Sequence, residues 1–231
     1  MARYLSFRFD DGFFVGALKA NLLLAPSRGS FFLVTGLMER THQLTQPEFE
    51  GRDFGNPAAW RLLAEAGHDI QAHSVTHPSL PELSRDQQIV EIRDSLSSIR
   101  KIHDGPYVFC CPYNQRPNVD FSSLGFSAAG FLGSPNSLPY NQRSTFDPFL
   151  LRSKVVFQED YDWIVRELRT SIPHDAWVIL GFHSFDDEGY RPWKFAPFAE
   201  LVRQVRSLDY QIETVSSMIS KFSNQTSTTA R

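Results

Sequence analysis

His68-Asp69-Ile70-Gln71-Ala72-His73-Ser74-Val75-Thr76-His77-Pro78 is the stretch from which the fold of this chain can be read. Its first five residues read as a short strand, and two imidazoles four positions apart follow it. His73 and His77 can face one metal ion if the backbone between them coils into a single turn. The competing reading is a surface turn with two solvated histidines, so the rest of the chain has to decide.

Upstream, Arg3-Tyr4-Leu5-Ser6-Phe7-Arg8-Phe9 alternates and is rich in aromatic residues, which predicts a strand that delivers Asp10-Asp11-Gly12. Adjacent carboxylates raise each other's pKa unless a cation sits between them. The pair therefore points to a metal, or to one acid kept as a base; an N-cap pair for the helix-like run Phe13 to Ala25 is the alternative. After Pro26, Gly29 to Thr35 reads as a nearly continuous apolar strand, suited to a parallel sheet covered on both faces. Gly36 to Gly55 is polar and irregular, a loop of the kind that borders active sites, and His42 within it reads as a solvated histidine or a minor contributor. Asn56-Pro57 opens a helix that Gly67 ends.

Downstream, Ser84 to His103 has helical apolar spacing, and Pro106 to Cys110 is a strand leading into Cys111-Pro112-Tyr113-Asn114. Phe126 to Phe131 and Phe149 to Phe157 read as further strands, separated by a loop over Gly133 to Asp147. A helix follows Glu159-Asp160-Tyr161-Asp162-Trp163 to about Ser171. Trp177 to Phe182 is the most apolar strand, and it ends on His183, which is either a backbone-satisfied buried histidine or a functional one. Pro197 to Leu208 forms a last large helix and Tyr210 to Ile212 a last strand. Residues 1–222 are read as one domain, and the polar tail Ser223 to Arg231 is expected to be disordered.

Of the 231 residues, 42% are hydrophobic and 21% charged, which excludes a disordered or membrane-embedded chain. The net charge of −3 comes without a basic run, so neither nucleic acid nor a membrane surface is implied as a partner. The N-terminus lacks a charged region followed by an apolar one, and Cys110 and Cys111 are adjacent, a geometry unsuited to a structural disulfide. A cytoplasmic location is the expectation. The 20 phenylalanines read mainly as core filling.

Repeated strand and helix units over this length predict a barrel-like α/β fold with a filled interior. Asp10-Asp11, His73/His77 and His183 all fall at C-terminal ends of predicted strands, the face where such folds place their chemistry. One carboxylate and two imidazoles there supply a divalent ion with ligands and leave positions open, as in a catalytic site; a second carboxylate can act as base and His183 as proton donor.

These residues resemble the polysaccharide deacetylases of carbohydrate esterase family 4, the NodB homology domain. Phe9-Asp10-Asp11-Gly12 is similar to the first motif and His73-Ser74-Val75-Thr76-His77 to the second, with Gly67-His68-Asp69-Ile70 just upstream also of the family's kind. The resemblance runs from the first strand to about Tyr210. It implies a deformed, incomplete (β/α) barrel in which Asp11, His73 and His77 hold Zn2+ or a similar divalent metal ion, with Asp10 as the general base. Pro112-Tyr113 resembles the end of the third motif, which implies that the Tyr113 backbone N–H stabilises the oxyanion. Asp162-Trp163 resembles the fourth, so Asp162 is expected to orient His183 and Trp163 to wall the acyl pocket. His183 then resembles the general acid of the fifth motif.

There are two departures from the family pattern. Cys110 stands where the third motif usually has the arginine that holds the base, and Arg8, Arg116 and Arg152 are the candidates to replace it. Gly181 stands where the fifth motif usually has leucine, which implies a wider or differently shaped acyl pocket, with Leu180, Phe182 and Pro112 as further substrate contacts. The expected activity is metal-dependent removal of the N-acetyl group of an amino sugar, in a saccharide or an intracellular precursor of a surface polysaccharide, with no membrane insertion. Two alternatives remain: a carbohydrate-binding protein that kept the fold and lost turnover, motivated by the missing arginine, and an amidase or deformylase acting on another small amide.

Overall fold

The computed structural model describes residues 2–133 and 137–224, which form ten strands and seven α-helices. In chain order these are β1 (Arg3–Phe9), α1 (Phe14–Leu24), β2 (Ser30–Leu33), α2 (Thr35–Met38), α3 (Pro57–Glu65), β3 (Asp69–Ala72), α4 (Arg85–Ile99) and β4 (Val108–Cys110). Then come β5 (Ala128–Leu132), β6 (Tyr140–Gln142), β7 (Leu151–Arg152), β8 (Lys154–Val155), α5 (Tyr161–Thr170), β9 (Ala176–Phe182), α6 (Phe195–Ser207), β10 (Tyr210–Ile212) and α7 (Val215–Ser223). Among the described residues no helix is long and apolar enough to cross a membrane.

The sheet runs β6-β9-β1-β2-β3-β4-β5-β7, parallel throughout except for β6 against β9. β9 lines one edge of β1 from Tyr4 to Phe9. The other edge is shared, by β10 at Arg3 to Leu5 and by β2 at Arg8 and Phe9. The predicted strand over 149–157 is divided at Ser153: β7 pairs with β5, whereas β8, one residue later, pairs with β9. That change of partner brings the two flanks of the sheet together and nearly closes the barrel.

Strand periodicity sorts the side chains into two layers. Leu5, Phe7 and Phe9 of β1, with Val178, Leu180 and Phe182 of β9, face the outer helices and belong to the main core. Trp177 and Ile179 point the other way, into the barrel, beside Phe32, Val108, Cys110 and Phe131. Phe131 takes this direction because the register shifts between Gly130 and Leu132 and Phe131 itself has φ 74°. α7 follows the last strand expected from the sequence and covers the barrel at the N-terminal ends of the strands: Phe222 packs on Tyr4 and Trp177, and Asp69 Oδ2 accepts from Ser216 N. The opposite end is left for the site. The predicted loop 133–147 contains β6 at the sheet edge. Of the predicted tail, Ser223 ends α7, and residues 225–231 lie outside the described ones.

Candidate metal-dependent active site

The histidine turn is not a turn of helix, as the i, i+4 spacing alone suggests. Ser74 and His77 have φ of 68° and 57°, in the left-handed region that costs a non-glycine residue roughly 1–2 kcal/mol. Hydrogen bonds from three sides offset that cost. Glu91 of α4 accepts from Val75 N and Thr76 N at 2.9 Å each and from Thr76 Oγ1 at 2.7 Å. Ser74 Oγ accepts from His77 N at 3.0 Å, and the α2 amides of Thr35 and Gly36 donate to Ser74 O and Val75 O. A side chain at Gly36 would lie 2.6 Å from Val75 O, so this approach requires glycine.

His73 is buried, and its Nδ1 lies 2.9 Å from the Cys110 carbonyl. That bond fixes the proton on Nδ1 and leaves the Nε2 lone pair to face Asp11 Oδ1 at 3.6 Å. His77 Nε2 lies 3.4 Å from the same oxygen, and the Tyr113 ring packs edge-on against the His77 imidazole at 4.7 Å. Burial pushes both imidazoles down to about 3, so they are neutral at ordinary pH. Burial first, then Asp10, pushes the Asp11 carboxyl well above the usual range. Two neutral imidazole nitrogens and a carboxylate oxygen, lying within 4.8 Å of one another, are a good set of ligands for a divalent cation.

Asp10 is held separately. Its Oδ2 accepts from Arg8 Nη2 at 2.8 Å, while Oδ1 is buried with no partner. Arg8 is fully buried, donates from Nη1 to Ser153 Oγ at 3.0 Å, and lies 4.6 Å over the Phe131 ring. Of the three arginines proposed from sequence, Arg8 alone reaches the base; Arg116 donates to Phe149 O and Arg152 is exposed. Arg8 also accounts for the second departure. A Cβ at Gly181 would lie 2.7 Å from Arg8 Nη2 and 3.1 Å from Cζ, so Gly181 makes room for the guanidinium and does not widen an acyl pocket.

The site opens into a cavity of about 520 Å³ lined by Asp10, Asp11, His73, His77, Tyr113 and His183, together with Gln46, Glu48, Phe49, Cys111, Asn114, Val155, Phe157 and Tyr190. His183 enters from the end of β9, with the Tyr190 ring 5.7 Å away. Burial lowers its pKa, with Asp10 pulling in the opposite direction.

Five expected contacts are not brought to this cavity. Asp162 is exposed in the first turn of α5 and makes no contact with His183, because the chain turns away after Phe157, where Asp160 accepts from Phe157 N at 2.9 Å. Trp163 packs on the outer core beneath Lys154, 5.3 Å from the ring centroid. Leu180 and Phe182 are on the helix-facing side of β9, and Pro112 is buried next to the lining residues Cys111 and Tyr113. The residues found in their place are Val155 and Phe157, whose i, i+2 spacing at a strand end is the signal that marks them, and Tyr190 on the loop after His183.

The sequence profile described as Polysaccharide deacetylase matches residues 3–124, which include β1, the histidine turn and Tyr113. The chain belongs to the polysaccharide deacetylase family. Among solved structures, it is similar in fold to a peptidoglycan deacetylase from Bacillus subtilis at 16% identity, covering 99% of this chain and 95% of that one with a TM-score of 0.61. A family 4 carbohydrate esterase from Streptomyces lividans, solved in complex with acetate, is 17% identical over 91% of each chain with a TM-score of 0.55. A pseudoenzyme of the same family from Bacillus anthracis is 14% identical, covering 94% of this chain and 66% of that one, also at 0.55. At such identities the likeness establishes the fold. No curated protein sequence matches this chain. In this chain the arginine beside Asp10 is Arg8 of β1.

Proposed function

We propose that this protein is a metal-dependent hydrolase that removes the acetyl group from an N-acetylated amino sugar within a saccharide. The observation that carries the reading is the placement, in one cavity, of three clustered metal-ligand atoms, a carboxylate with one oxygen held and one free, and an imidazole. Asp11, His73 and His77 would hold the ion, for which zinc suits two imidazoles and a carboxylate. When bound, it would supply Lewis acidity to the amide carbonyl and to water.

The chain's own residues divide the remaining work. Arg8 holds Asp10 through Oδ2, which leaves Oδ1 to take a proton from the attacking water. His183 gives a proton to the departing amine, and the Tyr113 backbone N–H supports the oxyanion. Aromatic walls from Phe49, Phe157 and Tyr190 suit the faces of a sugar ring. The Arg8–Asp10 contact supports the hydrolase reading over a binding protein without turnover.

The test is acetate release from N-acetylated oligosaccharides by the zinc-loaded protein. Release that disappears in Asp10→Asn supports the assignment; saccharide binding with no release by the parent would refute it.

A further inference from the structure

The loop between α2 and α3 brings to the cavity groups that hydrolysis itself does not use. Its conformation is anchored: Phe14 N donates to Asp53 O at 2.9 Å, and Phe49 stacks on Phe13 at 5.5 Å. Arg52 donates to Asp187 on the loop that carries Tyr190, so the two loops that supply lining residues are tied to each other. Between these anchors Gln46 and Glu48 line the cavity.

Glu48 is half-buried and makes no hydrogen bond or ion pair among the described residues. Arg52, four positions on, is committed to Asp187. Gln46 Oε1 is buried and likewise has no partner. Glu48 lines the same cavity as Asp11, Tyr113 and His183, and its carboxylate acts on all three. Of the three cavity carboxylates, Asp10 is compensated by Arg8 and Asp11 belongs to the ligand cluster. Glu48 alone is left uncompensated, and a partly buried carboxylate is matched by a donor on whatever fills the cavity.

We infer that Gln46 and Glu48 form a charge-selective subsite that takes a free amino group on the saccharide, close to the acetamide being cleaved, and rejects sugars carrying a phosphate. The inference rests on the saccharide reading above and deepens it. An ammonium satisfies both acceptors at once, whereas a phosphate ester would be placed against an unpaired carboxylate at a cost in affinity. The substrate class is therefore a partly N-deacetylated amino-sugar oligomer, and the reaction that supplies it is an earlier deacetylation of a neighbouring residue.

The test is calorimetric binding to zinc-loaded Asp10→Asn, which does not consume the ligands, with and without Glu48→Gln. The probes are di-N-acetylchitobiose, the same disaccharide with one free amine, and N-acetylglucosamine 1-phosphate. A charge-assisted hydrogen bond should make the amine-bearing disaccharide bind roughly tenfold or more tightly than the fully acetylated one, with the phosphate weakest. Glu48→Gln should erase that order. Equal affinities, or an order that survives Glu48→Gln, would overturn the inference. Acetate release by the parent is measured separately: release without amine preference removes only the subsite, and amine preference without release removes only the hydrolase.

Discussion

Gly181→Ala adds one methyl group at the centre of the site, and its effect follows from the position of Arg8. The new Cβ would lie 2.7 Å from Arg8 Nη2 and 3.1 Å from Nε, and the guanidinium cannot retreat, because the Phe131 ring is 4.6 Å from its Cζ. Overpacking a core by a methylene-sized group costs about 1–3 kcal/mol. Gly181 does not have a positive φ, so alanine also recovers about 0.5–1 kcal/mol of strand stability. The net loss is about 0–2.5 kcal/mol, or up to roughly 10 °C of melting temperature for a chain of this size. Turnover should fall more than stability, since an ångström of displacement at the Arg8–Asp10 contact is worth about a hundredfold. Calorimetric unfolding is to be compared in the parent and in an Arg8→Met/Asp10→Asn background, where both charges are gone together. There alanine should be neutral or stabilising. An equal loss in the two backgrounds, or unchanged stability and turnover in the parent, would refute the claim that Gly181 exists to seat Arg8.

Asp10→Asn should retain the metal and lose turnover by about two orders of magnitude or more, as expected for removal of a general base; turnover close to the parent's would move the base elsewhere. Acid should destabilise the metal-free protein through its histidines. Their folded pKa of about 3 lies below the unfolded 6.5, so the unfolded chain binds more protons between those values and stability is lost as pH falls through that window. Asp11, raised by burial, acts in the opposite sense, so the histidine contribution is read as the difference between the parent and His73→Gln in urea titrations at successive pH. A difference curve that stays flat from pH 6.5 downwards would contradict the assignment of His73 as buried and neutral.

The three candidate ligand residues come together through local geometry that the sequence encodes. Asp11 leaves the end of a strand with alternating character, and His73 and His77 share one short turn at the end of another, although that turn is left-handed at Ser74 and His77 and not the helical one the spacing suggests. The barrel was legible for a similar reason, since near-continuous apolar runs such as Phe31 to Val34 and Trp177 to Phe182 suit only strands buried on both faces. Asp162, Trp163, Leu180 and Phe182 were misplaced because their position depends on which way the chain turns after a strand, or on which face of it a residue occupies. A one-residue change in register reverses that face. The partnership of Arg8 with Gly181 lies across neighbouring strands at paired positions, a relation visible only once β1 and β9 are aligned. Glu48 and Phe49 come from a loop that was expected to border the site, although its internal path is set by contacts with Phe13 and Asp187 that local propensity does not encode.

The most direct test of the proposed centre is metal stoichiometry after zinc exposure and desalting, measured on the parent and on His73→Ala/His77→Ala. About one equivalent in the parent and little in the variant is the expected result for three protein ligands around one ion. The same content in both proteins would contradict the assignment of Asp11, His73 and His77, and the hydrolytic role built on it would fall with it.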